Sequence, residues 1–163
     1  MTHPRDEVEA AIRRYIAVRD EINADKLTWA ALAEFFTDDA VFIDPAWGRV
    51  EGIEEMKATV FGDAMEGFED WQFPTEFYAI DGDNVLVKWK QILPGTRADG
   101  RPYEQSGVST LIYAGDGKFR YEEDLLNMVH VLEDMRESNC KVQPVAMPPR
   151  HPNRDFSRPR VDG

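Results

Sequence analysis

The sequence is poor in the residues that build disulfides and metal sites. Of its 163 residues, one is a cysteine, Cys140, and three are histidines. A single cysteine excludes a disulfide framework within the chain and indicates a reducing compartment, so we expect a cytoplasmic protein. No cluster of histidine and acidic residues has the spacing of metal ligands, and no glycine-rich phosphate loop is present. The sequence therefore predicts neither a metal nor a cofactor.

Positive charge and long apolar runs are scarce as well. Lys and Arg together number 19 against 31 Asp and Glu, which gives a formal net charge of −12. Nucleic acid and anionic membranes repel such a surface, so neither is predicted as a partner. No window approaches the roughly 18 consecutive apolar residues of a membrane span, and the N-terminus lacks the apolar run of a signal peptide. We therefore expect a soluble protein.

The apolar residues that are present, 42% of the chain, suffice for one hydrophobic core. Their spacing changes from three- and four-residue steps near the N-terminus to alternation after residue 70. Helices that come first and a meander of antiparallel strands that follows are typical of the α+β class. Helices are predicted over residues 4–23, 29–36 and 53–65, and strands over residues 41–44, 71–79, 85–90, 103–113 and 118–129.

Residues 140–163 differ from the rest of the chain in composition. They hold five of the ten prolines and five basic residues against two acidic ones. Because so much proline excludes a helix or a central strand, we divide the chain into a domain over residues 1–139 and a Pro/Arg-rich C-terminal tail over residues 140–163. The tail is either a partly disordered terminus or an extended arm on the acidic body or a neighbouring subunit, with Phe156 as its anchor.

The segment that ends at Asp44 and Pro45 is the most informative one in the chain. An apolar helical segment is followed by a predicted Thr-Asp-Asp turn and a short strand. Proline favours extended geometry in the residue before it, which puts Asp44 at the end of that strand. Beside Phe42, Ile43 and Trp47 its carboxylate would be partly desolvated, and desolvation makes a carboxylate a better base near neutral pH. Alternatively, the carboxylate accepts hydrogen bonds from the N–H groups of the turn.

Four segments carry a resemblance to a known superfamily. They are Arg-Arg-Tyr at 13–15 on the first helix, residues 36–45, Val-Glu-Gly-Ile-Glu-Glu-Met at 50–56, and the Ala-Gly-Asp-Gly-Lys hairpin at 114–118. In this order they resemble the nuclear transport factor 2-like superfamily, which includes ketosteroid isomerases and SnoaL-like polyketide cyclases. The resemblance covers residues 6–130. It implies a cone in which a strongly curved antiparallel sheet wraps around N-terminal helices and leaves an apolar pocket, and it implies a homodimer.

The same resemblance implies roles for three residues. Asp44 matches the general base of the isomerases, Tyr15 the phenol that donates to the developing oxyanion, and Asp124 an acid on the last strand of the cyclases. In such a site a carboxylate removes a proton α to a carbonyl group, and donors in a dry pocket stabilise the enolate. Ser109 stands where the isomerases carry a protonated aspartic acid. The plainer alternatives are a core tyrosine for Tyr15 and a solvated acidic run for Asp124.

Two functions are compatible with these observations. The first is a cofactor-free proton-transfer enzyme, an isomerase, cyclase or dehydratase, that acts on an apolar carbonyl compound, a polyketide or a steroid-like molecule. The second is a non-catalytic module of the same fold that binds a small apolar molecule or serves assembly. A raised pKa of Asp44 in an apolar pocket favours the enzyme, and bonds to turn amides favour the binding module. The pocket-lining candidates, several of which equally suit a core, are Trp47, Met56, Phe61, Trp71, Phe73 and Trp89, with Ser109 and Asn127 as polar companions.

Overall fold

The first predicted helical segment forms a helix, and the apolar side of this helix is buried against the rest of the protein. In the computed structural model, which describes residues 2–138 and 153–159, this helix is α1 (Arg5–Asn23). Its residues Val8, Ile12 and Tyr15 are buried. The second predicted helix is present in the tighter 3₁₀ form over Trp29–Phe35. No helix among the described residues is long and apolar enough to cross a membrane.

The remaining elements are β1 (Phe36–Asp44), β2 (Gly48–Glu51), α2 (Ile53–Ala58), β3 (Thr75–Asp81), β4 (Asn84–Thr96), β5 (Pro102–Gly115), β6 (Lys118–Leu126) and α3 (Met128–Glu137). The strands form one curved, unclosed sheet in the order β2-β1-β6-β5-β4-β3. Neighbouring strands are antiparallel except β1 and β6, which run parallel. The N-terminal helices pack against this sheet, so the predicted α+β class and cone are confirmed.

The strand that ends at Asp44 is longer than the sequence predicts. Because β1 begins at Phe36, residues 37–39 belong to the strand and are not a turn. The register of β1 against β6 shifts between Phe36 and Val41, and the two aspartates of this segment are exposed. The turn-forming residues are therefore accommodated as a bulge, which keeps the strand continuous up to Asp44.

Two elements were missed, β2 and α3, and two were predicted too long, the last strand and the third helix. β2 pairs with β1 directly after the turn that follows Asp44. The last strand stops at Leu126, and α3 occupies residues that were predicted to extend it. The third predicted helix ends at Ala58, and the chain then turns with Gly62 packed against the end of α2. A Cβ on Gly62 would come within 2.4 Å of the carbonyl oxygen of Lys57.

A bulge reverses which residues of β3 face the core. The alternation from Trp71 onward predicted one strand with a continuous buried face. Instead, β3 begins at Thr75, and its register against β4 shifts between Thr75 and Phe77. As a result Phe77 is 56% exposed, whereas Tyr78 packs against the core. Trp71 and Phe73 are buried, but they precede the strand.

Residues 153–159 of the tail lie along the body of the protein. Arg49 on β2 donates its backbone N–H to the carbonyl oxygen of Asn153 at 2.9 Å, and its Nη1 donates to the carbonyl oxygen of Ser157 at 2.7 Å. These contacts favour the extended arm for this part of the tail. Phe156 is 52% exposed and does not anchor it. The predictions for residues 140–152 and 160–163 lie outside the described residues.

Candidate active site

Asp44 lies at the end of β1, where Pro45 turns the chain away from the sheet. Its Oδ1 accepts hydrogen bonds from the backbone N–H groups of Ala46 at 2.6 Å and Trp47 at 3.0 Å. Burial and the nearby Asp124 carboxyl outweigh these two donors and raise the pKa of Asp44 to about 7. The sequence allowed two environments for the Asp44 carboxyl group, a turn and an apolar pocket. In the structure the group has both, because it accepts the turn N–H groups and is also desolvated.

Two further carboxyl groups come from β6. Glu122 and Asp124 lie two residues apart and so project to the same face of the sheet. Glu122 is 2% exposed, and its two oxygens accept the Tyr15 hydroxyl at 2.8 and 3.1 Å. Burial raises the pKa of Glu122, and the positive charge of Arg19 opposes this rise. Burial and the adjacent Glu122 raise the pKa of Asp124 to about 8, so Asp124 is mainly protonated at neutral pH.

A chain of hydrogen bonds fixes the position of Asp124. The indole N–H of Trp89 donates to Ser109 Oγ at 2.9 Å, and the Ser109 hydroxyl donates to Asp124 Oδ1 at 2.5 Å. Ser109 is fully buried on β5 directly opposite Asp124. Gly107 lies opposite Trp89 in the same ladder, and a Cβ there would come within 2.5 Å of the indole ring. Glycine is therefore required for the indole to lie across β5 and reach Ser109.

The three predicted catalytic residues line one cavity. This cavity of about 90 Å³ is bordered by Tyr15, Asp44 and Asp124, and most of its remaining wall is apolar. A single ordered water needs roughly 10–15 Å³ of such space, so the cavity is large enough for several solvent molecules or part of an organic ligand. Four of the predicted lining residues also border it: Trp47, Phe61, Phe73 and Trp89.

The other four predicted lining residues lie elsewhere. Met56 is completely buried in the core between α2 and the sheet. Trp71 packs on Phe68, with 4.5 Å between the ring centroids. Ser109 supports Asp124 from β5 and does not border the cavity itself. Asn127 is exposed and caps α3, where its side chain accepts a backbone N–H.

Three polar residues at the cavity were not among the predicted site residues. Arg19 is 5% exposed, and its guanidinium lies 5.3 Å from the ring centroid of Trp89. Its position one helical turn after Tyr15 places it on the same face of α1. Gln91 follows Trp89 by two residues on β4 and shares its buried face, as Glu122 shares the face of Asp124. The helical and alternating spacings could have identified all three residues as inward-facing. They were not predicted because charged and amide side chains are rarely buried in a core.

The described residues contain no group of three or more His, Cys, Asp or Glu side chains arranged to hold a metal ion.

A family model matches most of the chain. The SnoaL-like domain model aligns with residues 9–122, which include most of α1, the sheet up to the first part of β6, and three of the polar residues that border the cavity, Tyr15, Asp44 and Glu122. The chain belongs to the SnoaL-like domain family. The superfamily resemblance noted in the sequence is thereby confirmed. No curated protein matches the chain.

Solved structures share the fold at low sequence identity. A protein from Jannaschia sp. CCS1 assigned as a SnoaL-like polyketide cyclase is 20% identical, with a TM-score of 0.62 over 82% of this chain and 96% of the other. TerC, co-crystallised with polyporic acid, is 18% identical, with a TM-score of 0.60 over 80% and 98%. A de novo designed protein with a curved β-sheet is 11% identical, with a TM-score of 0.56 over 84% and 98%. Since a designed protein shares the fold, function must be argued from the site.

Proposed function

We propose that this SnoaL-like protein is a cofactor-free proton-transfer enzyme, an isomerase, cyclase or dehydratase, and that its substrate is an apolar carbonyl compound of polyketide or steroid-like kind. One observation carries the proposal. A carboxyl group with a pKa of about 7, Asp44, borders an apolar cavity together with a second carboxyl, Asp124, whose pKa is about 8. Carboxyl groups displaced this far from their ordinary pKa cluster at catalytic sites.

The two carboxyl groups suit opposite roles at neutral pH. About half of Asp44 is ionised there. Among the residues that the structure describes, it accepts hydrogen bonds only at Oδ1, which leaves Oδ2 to receive a proton from a carbon acid. Asp124 is mainly protonated and is the acid that can return a proton to the product. A base with its pKa near the working pH is the most effective general base.

Tyr15 takes a supporting role in this proposal. Its hydroxyl hydrogen is directed at the carboxylate of Glu122. Burial raises the pKa of Tyr15 well above its ordinary value, so the phenol stays protonated and keeps donating. We therefore assign Tyr15 as a positioning residue for Glu122, which in turn contributes to the raised pKa of Asp124.

Exchange of carbon-bound hydrogen tests this proposal with few assumptions about the product. We would follow deuterium incorporation α to the carbonyl of 2-tetralone in D₂O by NMR, and the isomerisation of a 5-ene-3-ketosteroid by absorbance. The wild type should accelerate at least one of these reactions, and Asp44→Asn should lower the rate by about 10² to 10⁴-fold. Asp39→Asn changes an exposed aspartate on the same strand and should leave the rate unchanged. Equal rates for Asp44→Asn and the wild type would remove Asp44 as the base.

The second candidate function is a non-catalytic small-molecule-binding or assembly module. The two turn amides on Asp44 Oδ1 favour it, because such donors hold a carboxylate in a structural role. Ser109 favours it too, because a hydroxyl stands where the resembling isomerases have a neutral carboxylic acid. Ligand-induced thermal stabilisation of both the wild type and Asp44→Asn, without exchange in either, would support this candidate.

The oligomeric state, the cellular compartment and the domain boundary also remain proposals. We propose that the protein is a homodimer in a reducing cytoplasm, and that its domain ends near residue 139. Light scattering after gel filtration would give the oligomeric state. Limited proteolysis would test the boundary, since cleavage between residues 139 and 153 should leave a stable N-terminal fragment.

A further inference from the structure

Two buried polar atoms that belong to the cavity wall have no hydrogen-bond partner in the described part of the chain. They are Nε of Arg19 and Oε1 of Gln91, in side chains that are only 5% and 7% exposed. Both residues border the cavity that also contains Asp44. Buried donors and acceptors are almost always paired, so an unpaired donor and an unpaired acceptor in the wall of one cavity require an explanation.

The positive charge of Arg19 is also without a close partner. No carboxylate among residues 2–138 and 153–159 forms an ion pair with Arg19 within 4.0 Å. The guanidinium lies instead over the ring of Trp89 at 5.3 Å, and Glu122 acts on it only through space. A buried guanidinium held by an aromatic face keeps its N–H groups available for another oxygen.

Arg19 and Gln91 belong to the same part of the wall. Gln91 follows Trp89 by two residues on β4 and so projects to the same side of the sheet, while Arg19 covers the Trp89 ring from α1. One oxygen that accepts from an N–H and donates to a C=O would satisfy both residues. A hydroxyl group is the ordinary organic group with this capacity.

We propose that Arg19 and Gln91 form a binding subsite for a hydroxyl or enol group of an otherwise apolar ligand. This inference rests on the proposed function only in that the same cavity receives the substrate. It narrows the substrate class to enolisable hydroxy-carbonyl compounds. When Asp44 takes the α-proton, the C–H electrons form the C=C bond and the carbonyl π electrons move to oxygen. The separate hydroxyl group of such a substrate would accept from the Arg19 N–H and donate to Gln91 Oε1, and it keeps its proton in this step.

The orphaned atoms elsewhere in the described residues do not share this setting. Thr37 and Thr75 do not border this cavity, and Trp71 lines a different, more open groove. The charged and titratable groups that face the subsite from the packed elements are Asp44, Glu122, Asp124 and Tyr15. Three of these four are acids, so a neutral hydroxyl is accepted more readily here than a second full negative charge.

Binding of two inert probes tests the subsite without any turnover. 2-Naphthol can both accept from Arg19 and donate to Gln91, whereas 2-methoxynaphthalene can only accept. Neither has a hydrogen α to a carbonyl group, so loss of exchange activity and loss of this binding pattern are distinguishable. Calorimetry on the wild type should show about ten-fold tighter binding of 2-naphthol than of 2-methoxynaphthalene. The methoxy probe has no donor, so it leaves the buried Gln91 Oε1 unpaired.

Substitutions at Arg19 and Gln91 test whether these two residues produce the preference for 2-naphthol. Gln91→Met should reduce the preference for 2-naphthol to within about two-fold and leave the affinity for 2-methoxynaphthalene unchanged. Arg19→Met should weaken both probes, since each presents an acceptor. Gln72→Met and Arg13→Met, which change exposed side chains, are the matched controls.

Thermal unfolding separates recognition from a structural role. Replacing an unpaired buried amide by a thioether of the same length should leave the melting temperature of Gln91→Met unchanged or higher, whereas a structural amide would lower it. Equal affinity of the wild type for the two probes, no binding of either, or a preference that survives in Gln91→Met would overturn the proposal. The first of these results would mean that the pair only holds water.

Discussion

Replacement of Asp44 by asparagine should stabilise the protein at alkaline pH. The amide keeps the shape of the carboxyl group and can still accept the two N–H bonds from Ala46 and Trp47 at its Oδ1. It carries no charge, so the desolvation that raises the pKa of Asp44 to about 7 no longer acts. The variant therefore removes the cost of ionising this group in the cavity and preserves the turn.

The sign of the effect follows from the direction of the pKa shift. Because the folded protein favours protonated Asp44, this group contributes stability that is fully present below the unfolded pKa of 3.8. That stability is lost as the pH rises through about 7. The difference between the unfolded pKa of 3.8 and the folded pKa of about 7 corresponds to about 4 kcal/mol of unfolding free energy. Asp44 is partly exposed to the cavity, and screening by water there reduces our expectation to about 2 kcal/mol.

Denaturation at pH 4 and at pH 8.5 measures this effect. The difference in free energy of unfolding between Asp44→Asn and the wild type should be near zero at pH 4 and should grow to about 2 kcal/mol in favour of the variant at pH 8.5, a rise of about 4–8 °C in melting temperature. Asp39→Asn should show no such trend. A variant that is less stable than the wild type at every pH would refute the reasoning, because it would mean that the turn amides hold Asp44 as an ordinary low-pKa carboxylate.

Two further substitutions test the supports of the site. Ser109→Ala should lower the free energy of unfolding by about 1–3 kcal/mol in urea denaturation, because it leaves the Trp89 indole N–H and Asp124 Oδ1 without their shared partner; an unchanged midpoint would contradict the hydrogen-bond chain. Asn127→Ala should lower the free energy of unfolding by about 1 kcal/mol through loss of the α3 cap and should leave 2-naphthol binding unchanged. Weaker binding of the probe would instead indicate that Asn127 contributes to the cavity.

Local sequence signals predicted the parts of the fold that depend on regular spacing. The stripe of α1 and the alternation of Val85, Val87 and Trp89 on β4 both appear as expected, because each repeats with the period of its element. Errors arose where the register changes. The bulges in β1 and β3 are set by the neighbouring strands, so the segment alone could not show that residues 37–39 continue a strand or that Phe77 faces outward.

The candidate site was predictable only in part for a similar reason. The Asp-Pro step placed Asp44 at a strand end, which is a local property of the chain. The partnership of Tyr15 with Glu122 joins residues 107 positions apart, and the link from Trp89 through Ser109 to Asp124 crosses three strands. Such contacts follow from sheet order and curvature, which no window of the sequence contains.

The most direct test of the account is a titration of the Asp44 carboxyl carbon by ¹³C NMR in the folded protein, with Asp44→Asn used to assign the resonance. We predict a midpoint near pH 7 for Asp44 and a midpoint near pH 8 for a second carboxyl group, Asp124. A midpoint near pH 4 or below for Asp44 would contradict it, because a carboxylate already ionised throughout the neutral range would be a turn residue and a weak base.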